Sequence, residues 1–554
     1  MKRGEQGYTL ISIMSVVMIF TVMISALLVL SVQEARYTST MVNQSQALMD
    51  CRSGVQAVYR QMQQMWTAQV PPNGFSSVSA AKTALTSLAS QMQQWCNQKF
   101  SGTPLAATVE LGQNNFDSVT DSGSSGGNNV GNLYQTYQVT VTANEHGAKR
   151  TMVDTFTISG ALETLNYALY TPGDLFITGG PEIDGMMAVG GSVYFDNMPW
   201  QGFVTNSSHT STVTVGNQPV FFYREPSGYE PKVPPVFGAG SVLRYAGSVY
   251  TFTRFKDQGS DPTINETWLY GSTKDVVDKQ ALSANQLGQV AIGSVQTGPY
   301  QATLPDDYVS QIIESNDQKL LNLAKQIGNI NYGYLHKGDP LPSSGGWVHY
   351  PPGQGPYEVR GNVVINGVMY FDGDLQIDSG ATLNLTQPLF VNGDLTVNGV
   401  LNSTATIYVS GNTTITNVPP DVKGKEPSRL ELYSLGNIEL TLVASKSGDI
   451  ATAPTTFHAF LATDKNMFLE GMESFYHIIG GVAAREIMLN ATVGAKHTYS
   501  AYQQHNVMTS QNKNDTSRRL WITYDSSYVT NPLTGTPTLG DLKLQAMPQP
   551  TLIH

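Results

Sequence analysis

The fold of this chain is decided by the stretch GNVVINGVMYFDGDLQIDSGATLNLTQPLFVNGDLTVNGVLNSTATIYVSGNTTI, residues 361–415. Gly followed by Asp or Asn recurs in it at Gly373, Gly393 and Gly411, at nearly equal steps along the chain. Between these corners stand pairs of apolar residues two positions apart: Val368 and Tyr370, Leu375 and Ile377, Leu383 and Leu385, Leu389 and Val391, Leu395 and Val397. Short strands with two inward residues and Gly at the corners are what a three-sided β-solenoid requires. The repeat therefore predicts a right- or left-handed β-solenoid of about 18–20 residues per coil.

The same pattern extends to both sides of this stretch. Gly173-Asp174 opens an earlier copy, and successive strand-corner units recur in FHAFLATDKNMFLEGMESFYHIIGGVAAREIMLNATVG, residues 457–494. Between the copies, PDDYVSQIIESNDQKLLNLAKQIG is one amphipathic helix with acidic residues in its first turn, which suits the helix dipole. We expect four parts here: a first solenoid segment at 161–200, a protruding insertion at 201–355, the main solenoid at 356–530 and a C-terminal tail at 531–554.

Composition narrows the class of protein. The 554 residues predict two or more domains, and charged residues are 13% of the chain, with a net charge of -11. Nucleic acid is excluded as a partner, because phosphate binding needs clustered Lys and Arg. The 52 Gly and 28 Pro suit a β-rich extracellular protein with many turns.

The N-terminus predicts a membrane helix. Residues 8–32, YTLISIMSVVMIFTVMISALLVLSV, carry no charge and would span roughly 37 Å as a helix, enough to cross a bilayer. Lys2 and Arg3 precede them, so the positive-inside rule places the N-terminus in the cytoplasm. A secretory signal peptide fits less well, because the apolar stretch is long and no small-x-small cleavage site follows it. A plain single-span anchor is the remaining alternative.

Beyond the membrane, residues 33–160 predict a helical hairpin and a small sheet. The helix continues to about Gln69, Pro71-Pro72-Asn73-Gly74 forces a turn, and a second helix starts near Ser79. Cys51 and Cys96 fall nearly opposite each other across that turn, which predicts a disulfide formed outside the cytoplasm. Two unrelated buried thiols are the alternative. Alternating residues then predict a β-hairpin that turns at 144–147. The fold class is thus α+β, mainly β.

The N-terminus also resembles the prepilin leader of type IV pilins and type II secretion pseudopilins. The resemblance lies in a short basic leader ending in Gly7, followed by Tyr8-Thr9-Leu10-Ile11. It implies that a membrane prepilin peptidase removes the leader, residues 1–7, by cutting between Gly7 and Tyr8, and that the new N-terminus is methylated. It also implies that the apolar helix packs, from Thr9, Leu10, Ile11 and Ser12 onward, against other pilin subunits.

Ser12 departs from the pattern of major pilins, which have Glu at the fifth position of the mature chain. In that family the carboxylate pairs with the N-terminal amine of a neighbouring subunit, since a buried charge needs a partner. Members without this Glu are typically minor pilins or tip pseudopilins. Tyr524-Asp525-Ser526 is similar to the end of a solenoid region found behind minor-pilin N-termini.

No catalytic residue, cofactor or metal site is predicted. The His and Cys spacings match no zinc motif, and neither a G-x-S-x-G elbow nor a P-loop is present. Asp372, Asp374 and Asp378 suggest calcium as an alternative to simple turn residues. Several aromatic residues could instead stack on sugars: Trp200, Tyr223, Tyr229, Trp268, Trp347 and Tyr350.

Three functions follow from these features. The first is a minor pilin at the tip or in the priming of a type IV pilus or pseudopilus, whose solenoid serves adhesion or assembly. Such a subunit would lie in the bacterial inner membrane with its C-terminal part outside, then on the pilus or cell surface. Its partners would be other pilins and possible surface glycan or host-cell ligands. The second function is a pilus-independent anchored protein that binds polysaccharide or cell wall. The third is a solenoid carbohydrate-active enzyme.

Overall fold

The structure is a computed structural model. It describes residues 4–71, 75, 77–114, 116, 133–197, 200–204, 214–215, 218–224, 234–252, 254–255, 264–265, 276–277, 279–293, 295–300, 307–326, 333–416, 428–440, 455–471, 476–491, 518–546 and 551–553. The chain divides into two compact units, Met1–Gly160 with Gly540–His554, and Ala161–Leu539. We call them the anchor unit and the solenoid unit.

The anchor unit begins with two helices and three strands: α1 (Gly4–Gln69), α2 (Val78–Lys99), β1 (Leu105–Asn114), β2 (Tyr134–Glu145) and β3 (Ala148–Ala161). The hydroxyl of Ser77 caps α2 by accepting the backbone N–H of Ala80 at 3.1 Å. β2 and β3 pair antiparallel and turn at His146 and Gly147, whose positive φ values of 47° and 85° suit a tight hairpin. The predicted hairpin at 144–147 is therefore confirmed.

The elements of the rest of the chain are short. In order they are a 3₁₀ turn (Glu163–Asn166), β4 (Leu169–Thr171), β5 (Leu175–Gly179), β6 (Glu182–Asp184), β7 (Met186–Val189), β8 (Val193–Asp196), β9 (Trp200–Val204), β10 (Thr214–Val215), β11 (Gln218–Arg224), β12 (Val236–Phe237), β13 (Val242–Tyr245), β14 (Val249–Thr251), β15 (Arg254–Phe255), β16 (Ile264–Asn265), β17 (Val276–Val277), β18 (Gln280–Leu282), a 3₁₀ helix (Ala284–Gln289), β19 (Gln296–Pro299), α3 (Tyr308–Gln326), β20 (Gly333–Tyr334), β21 (Gly346–His349), β22 (Tyr357–Val359), β23 (Asn362–Ile365), β24 (Met369–Asp372), β25 (Leu375–Ile377), β26 (Thr382–Leu385), β27 (Leu389–Asn392), β28 (Leu395–Val397), β29 (Val400–Ser403), β30 (Thr406–Val409), β31 (Thr413–Ile415), β32 (Arg429–Ser434), β33 (Ile438–Leu440), β34 (Thr455–Gly471), β35 (Tyr476–Ala491), β36 (Leu520–Tyr524), α4 (Ser527–Thr530), β37 (Thr538–Ala546) and β38 (Thr551–Ile553).

Parallel pairing at a nearly constant step makes the central part of the chain a β-solenoid. Met369 pairs with Leu389 and Leu389 with Ile407, so each coil has the length that the repeat predicts. Each coil has three faces: face A (β24, β27, β30), face B (β25, β28, β31) and face C (β23, β26, β29). The predicted fold class, α+β and mainly β with a long N-terminal helix, is confirmed.

The register of the first strand on face A differs from the prediction. Met369 and Phe371 lie in the solenoid core, whereas Tyr370 points outward. The sequence pattern had paired Val368 with Tyr370. Because side chains alternate between faces along a strand, a slip of one residue exchanges the inward and outward sets.

The coils do not stack in chain order. β35 pairs parallel with β4 and β5, which in turn pair with β7 and β8. The first coil of the chain therefore lies in the middle of the stack, between the coil of β35 and that of β7 and β8. Neighbours in the stack can be far apart along the chain, as with Leu169 and Val482.

The predicted insertion at 201–355 is wrong in part. β12, β13 and β14 pair parallel with β6, β7 and β8, and β21 pairs with β24, so these strands belong to the solenoid. A separate sheet contains β9, β10, β11 and β16. The predicted tail at 531–554 also differs, because β37 and β38 pair with β3 in the sheet of the anchor unit.

Candidate anchoring and display surfaces

The first half of α1 exposes an apolar surface. It is long and apolar enough to cross a membrane, and its most apolar stretch is not buried. Its large side chains are 50–72% exposed from Ile13 to Val32. Leaving such area in water costs about 25 cal/mol per Å². A bilayer or the apolar helices of other proteins would remove that cost.

The second half of α1 packs inside the anchor unit. Its buried residues recur every three or four positions and form one stripe: Ala47, Cys51, Val55, Val58, Met62 and Trp66. The same core holds residues from α2 and the sheet, such as Leu85 and Val139. A single helix thus joins an exposed apolar half to a half fixed in a folded unit.

The predicted processing site lies within α1. Gly7 and Tyr8 belong to this helix, as do Thr9, Leu10, Ile11 and Ser12. The structure does not describe their side chains. Cleavage after Gly7 and subunit packing through these residues therefore stay predictions.

The two cysteines are free thiols in the structure, which differs from the predicted disulfide. Both are buried in the core of the anchor unit. The Cys51 thiol lies against the sheet, 3.2 Å from the carbonyl oxygen of Arg150 and 3.6 Å from that of Val141. Burial raises the pKa of Cys96 to about 11 and also raises the pKa of Cys51.

The Gly-Asp corners between faces A and B form a ladder of side chains along the solenoid. The backbone N–H of Asp394 donates to Oδ1 of Asp374 at 2.9 Å, and that of Asn412 donates to Oδ1 of Asp394 at 2.7 Å. In the same way, the backbone N–H of Asn437 donates to Oδ1 of Asn412 at 2.9 Å, and that of Asn466 donates to Oδ1 of Asn437 at 3.1 Å. Each Asp or Asn therefore satisfies a backbone donor of the following coil.

The glycines before these residues are required by close packing between coils. A Cβ on Gly393 would lie 2.4 Å from the carbonyl oxygen of Gly373. One on Gly411 would lie 2.2 Å from Oδ1 of Asp394. Both distances are shorter than real Cβ contacts, so the repeated dipeptide is explained by coil stacking.

The three carboxylates considered for calcium lie in separate rows and have protein partners. Asp372 forms a hydrogen bond with His349 Nδ1 at 2.7 Å and accepts one from Nδ2 of Asn392 at 2.9 Å. Asp378 accepts Nε2 of Gln376 at 2.7 Å. In the part of the chain that the structure describes, no group of three His, Cys, Asp or Glu is placed to hold a metal ion.

Face A carries an outward row of aromatic residues that sequence reasoning missed. Consecutive coils place the following in register: Trp347, Tyr370, Phe390, Tyr408 and Tyr433. The rings of Tyr370 and Phe390 stack 4.9 Å apart with a 3° angle between their planes. Most of these side chains are buried, and Tyr308, Val309 and Ile313 of α3 share their cluster. The sequence did contain this pattern, because an aromatic residue occupies the outward position of each of these strands.

An aspartate from a distant strand caps the helix that covers this row. The backbone N–H groups of Val309 and Ser310 donate to Asp464 at 2.8 and 2.5 Å, and the Ser310 hydroxyl donates at 2.5 Å. Burial raises the pKa of Asp464, and these hydrogen bonds oppose the rise. The sequence showed acidic residues before α3 but gave no sign that β34 supplies the cap.

The segment after β36, residues 525–536, covers the same face further along. The hydroxyls of Tyr433 and Thr536 donate to the buried Glu431 at 2.9 and 2.5 Å. Burial raises the pKa of Glu431 to about 7, which the two hydrogen bonds oppose. The guanidinium of Arg429 lies 4.6 Å from the ring centre of Tyr528 in this segment.

The aromatic residues considered for sugar binding are placed differently from one another. Tyr350 is 2% exposed in the solenoid core, and Trp347 packs against Tyr370 at 5.8 Å. The side chains of Trp200 and Tyr223, and all of Tyr229 and Trp268, lie outside the described residues.

No protein-family model matches the chain, and no curated protein matches it. Among solved structures it is similar to the competence-associated pilin ComZ from Thermus thermophilus, with 14% sequence identity and a TM-score of 0.24. The match covers 92% of this chain and 98% of ComZ. At so low a TM-score the likeness carries no argument about this chain.

Proposed function

We propose that this chain is a minor subunit of a type IV pilus or pseudopilus, at its tip or in its priming. The observation that carries the proposal is α1, a continuous helix with an exposed apolar first half and a second half packed in the anchor unit. A pilin needs this combination, because the same helix must hold the protein in the membrane and later pack among other subunits.

Three features of the sequence refine the role. The leader that ends at Gly7 supports export through a prepilin peptidase and methylation of Tyr8. Ser12 supports a position at the end of a filament, since the carboxylate that pairs with a neighbouring subunit is missing. The solenoid would be presented outside the membrane for adhesion or for assembly, with a surface glycan or host-cell molecule as the ligand.

N-terminal sequencing of the protein from its host membrane tests the proposal. A mature chain that starts at Tyr8 supports it, and a Gly7→Val variant should then keep Met1 and stay out of filaments. A wild-type chain that starts at Met1 would contradict it and favour a pilus-independent anchored protein.

Deletion of the gene tests the assembly role separately. We expect fewer pili or altered adhesion, restored by the wild-type gene and not by the Gly7→Val variant. Unchanged pilus number, length and adhesion in the deletion strain would contradict a role at the tip or in priming.

A further inference from the structure

The sheet of the anchor unit is completed by the end of the chain. Its strand order is β1-β2-β3-β37, and β38 also pairs with β3. β38 runs antiparallel to β3, with Met152 opposite Leu552. Residues 162–537, nearly the whole solenoid unit, separate β3 from these partner strands along the chain.

The returning strand is held by a buried side chain and a buried hydrogen bond. Leu542 of β37 is 3% exposed and belongs to the core that also contains Trp66. The indole N–H of Trp66 donates to the carbonyl oxygen of Leu542 at 2.8 Å, across 476 residues of sequence. Trp66 is itself 3% exposed, so water cannot easily replace that acceptor.

Without the C-terminal strands, the anchor unit would have two defects. The indole N–H of Trp66 would lose its acceptor in the core, and a buried donor without a partner destabilises the folded state. The outer edge of β3 would also present unpaired backbone groups, which promote pairing with foreign chains.

We propose that β37 and β38 are completion strands, which make folding of the anchor unit conditional on synthesis and export of the solenoid unit that precedes them. Met1–Gly160 of the anchor unit are synthesised before the solenoid unit, yet the sheet closes only with strands that follow the solenoid unit. A chain that stops within the solenoid unit therefore keeps an incomplete anchor unit. This inference goes beyond the proposed function, because it holds whether or not the protein enters a filament.

The test is a chain that stops after Pro537, purified in detergent beside the full-length protein. Limited proteolysis should cut the anchor unit of the truncated chain at least tenfold faster, while its solenoid unit stays as resistant as in the full-length protein. A synthetic peptide of residues 538–554, added in trans, should restore resistance of the anchor unit.

Two substitutions make the test specific. With the Trp66→Phe variant, the peptide should bind about fivefold more weakly, because one hydrogen bond is lost while an aromatic ring remains. A Leu542→Asp peptide should fail to restore resistance. Equal proteolysis of the anchor unit in the truncated and full-length chains would overturn the proposal, as would a peptide that binds without restoring resistance.

Discussion

The surroundings of Glu431 disfavour the charged form of its carboxyl group. It is fully buried on face A beneath residues 525–536, and its pKa is raised from 4.5 to about 7. Between these two pH values the unfolded chain loses a proton that the folded chain keeps. Folding stability attributable to this group is therefore complete below pH 4.5, falls as pH rises toward 7, and stays low above it.

We predict that Glu431→Gln stabilises the solenoid unit at pH 8 by up to about 3 kcal/mol, at 1.4 kcal/mol per pKa unit. The amide oxygen can still accept the hydroxyls of Tyr433 and Thr536. The measurement is the free energy of unfolding in urea at pH 4.5 and pH 8, for the variant and the wild type. The exposed Glu110→Gln is the matched control, and an equal effect of both substitutions would contradict the prediction.

The cysteines give a second prediction at this scale. Because both thiols are buried and their pKa values are raised, we expect iodoacetamide to modify Cys51 and Cys96 only after unfolding. Mass spectrometry of peptides from folded and unfolded protein measures this. A peptide that joins Cys51 to Cys96 by a disulfide in non-reduced protein would contradict it and support the pairing expected from the sequence.

At the scale of elements, α3 depends on a residue from another part of the chain. Its first turn donates two backbone N–H groups and one hydroxyl to Asp464 of β34. The negative carboxylate also lies at the positive end of the helix dipole. The row of aromatic residues on face A is thus covered by a helix that the solenoid itself fixes in place.

We predict that Asp464→Ala lowers the stability of the solenoid unit by about 1–2 kcal/mol, the usual cost of losing a helix cap. Asp464→Asn should cost less, since one acceptor oxygen remains. Urea unfolding measures the stability, and proteolysis within α3 reports its local detachment. Asp307→Ala is the control at the same helix start, because this exposed carboxylate accepts the Gln311 side chain and its charge opposes that of Asp464. A loss as large in this control would argue against the cap.

At the scale of the whole molecule, the solenoid is closed by contacts between distant parts of the chain. The coil of β4 and β5 pairs with β35 on one side and with β7 and β8 on the other. The N–H of Gly173 donates to the carbonyl oxygen of Arg485 at 2.9 Å in this junction. The coil of β4 and β5 and the coil of β35 are both needed to bury the surfaces that meet at this junction.

We predict that Gly173→Ala lowers the stability of the solenoid unit by about 1–3 kcal/mol, because its Cβ would lie 2.3 Å from the carbonyl oxygen of Arg485. Gly298→Ala is the matched control, since nothing lies within 4 Å of its added Cβ. Thermal unfolding of both variants measures the difference. Equal melting temperatures for the two variants would contradict a role for the junction.

Much of the fold could be predicted because local patterns specify it. The coil length, the Gly corners and the amphipathic helix, which the structure gives as Tyr308–Gln326, all reappear in the structure. The inward pair at Val368 and Tyr370 was misassigned, because both neighbouring strand registers offered apolar residues. The cap from Asp464 and the burial of Glu431 could not be predicted, since the start of α3 and residues 525–536, which make these contacts, are far from them in sequence.

The sequence by itself determined the apolar N-terminal helix, the coil length and the class of the fold, because each depends on spacing between near neighbours. Only the tertiary structure decided the order of the coils, the membership of β12–β14 and β21 in the solenoid, and the return of β37 and β38 to β3. The physical reason is that the free edge of a strand can form hydrogen bonds with any compatible strand. The local sequence does not specify which distant strand pairs with it.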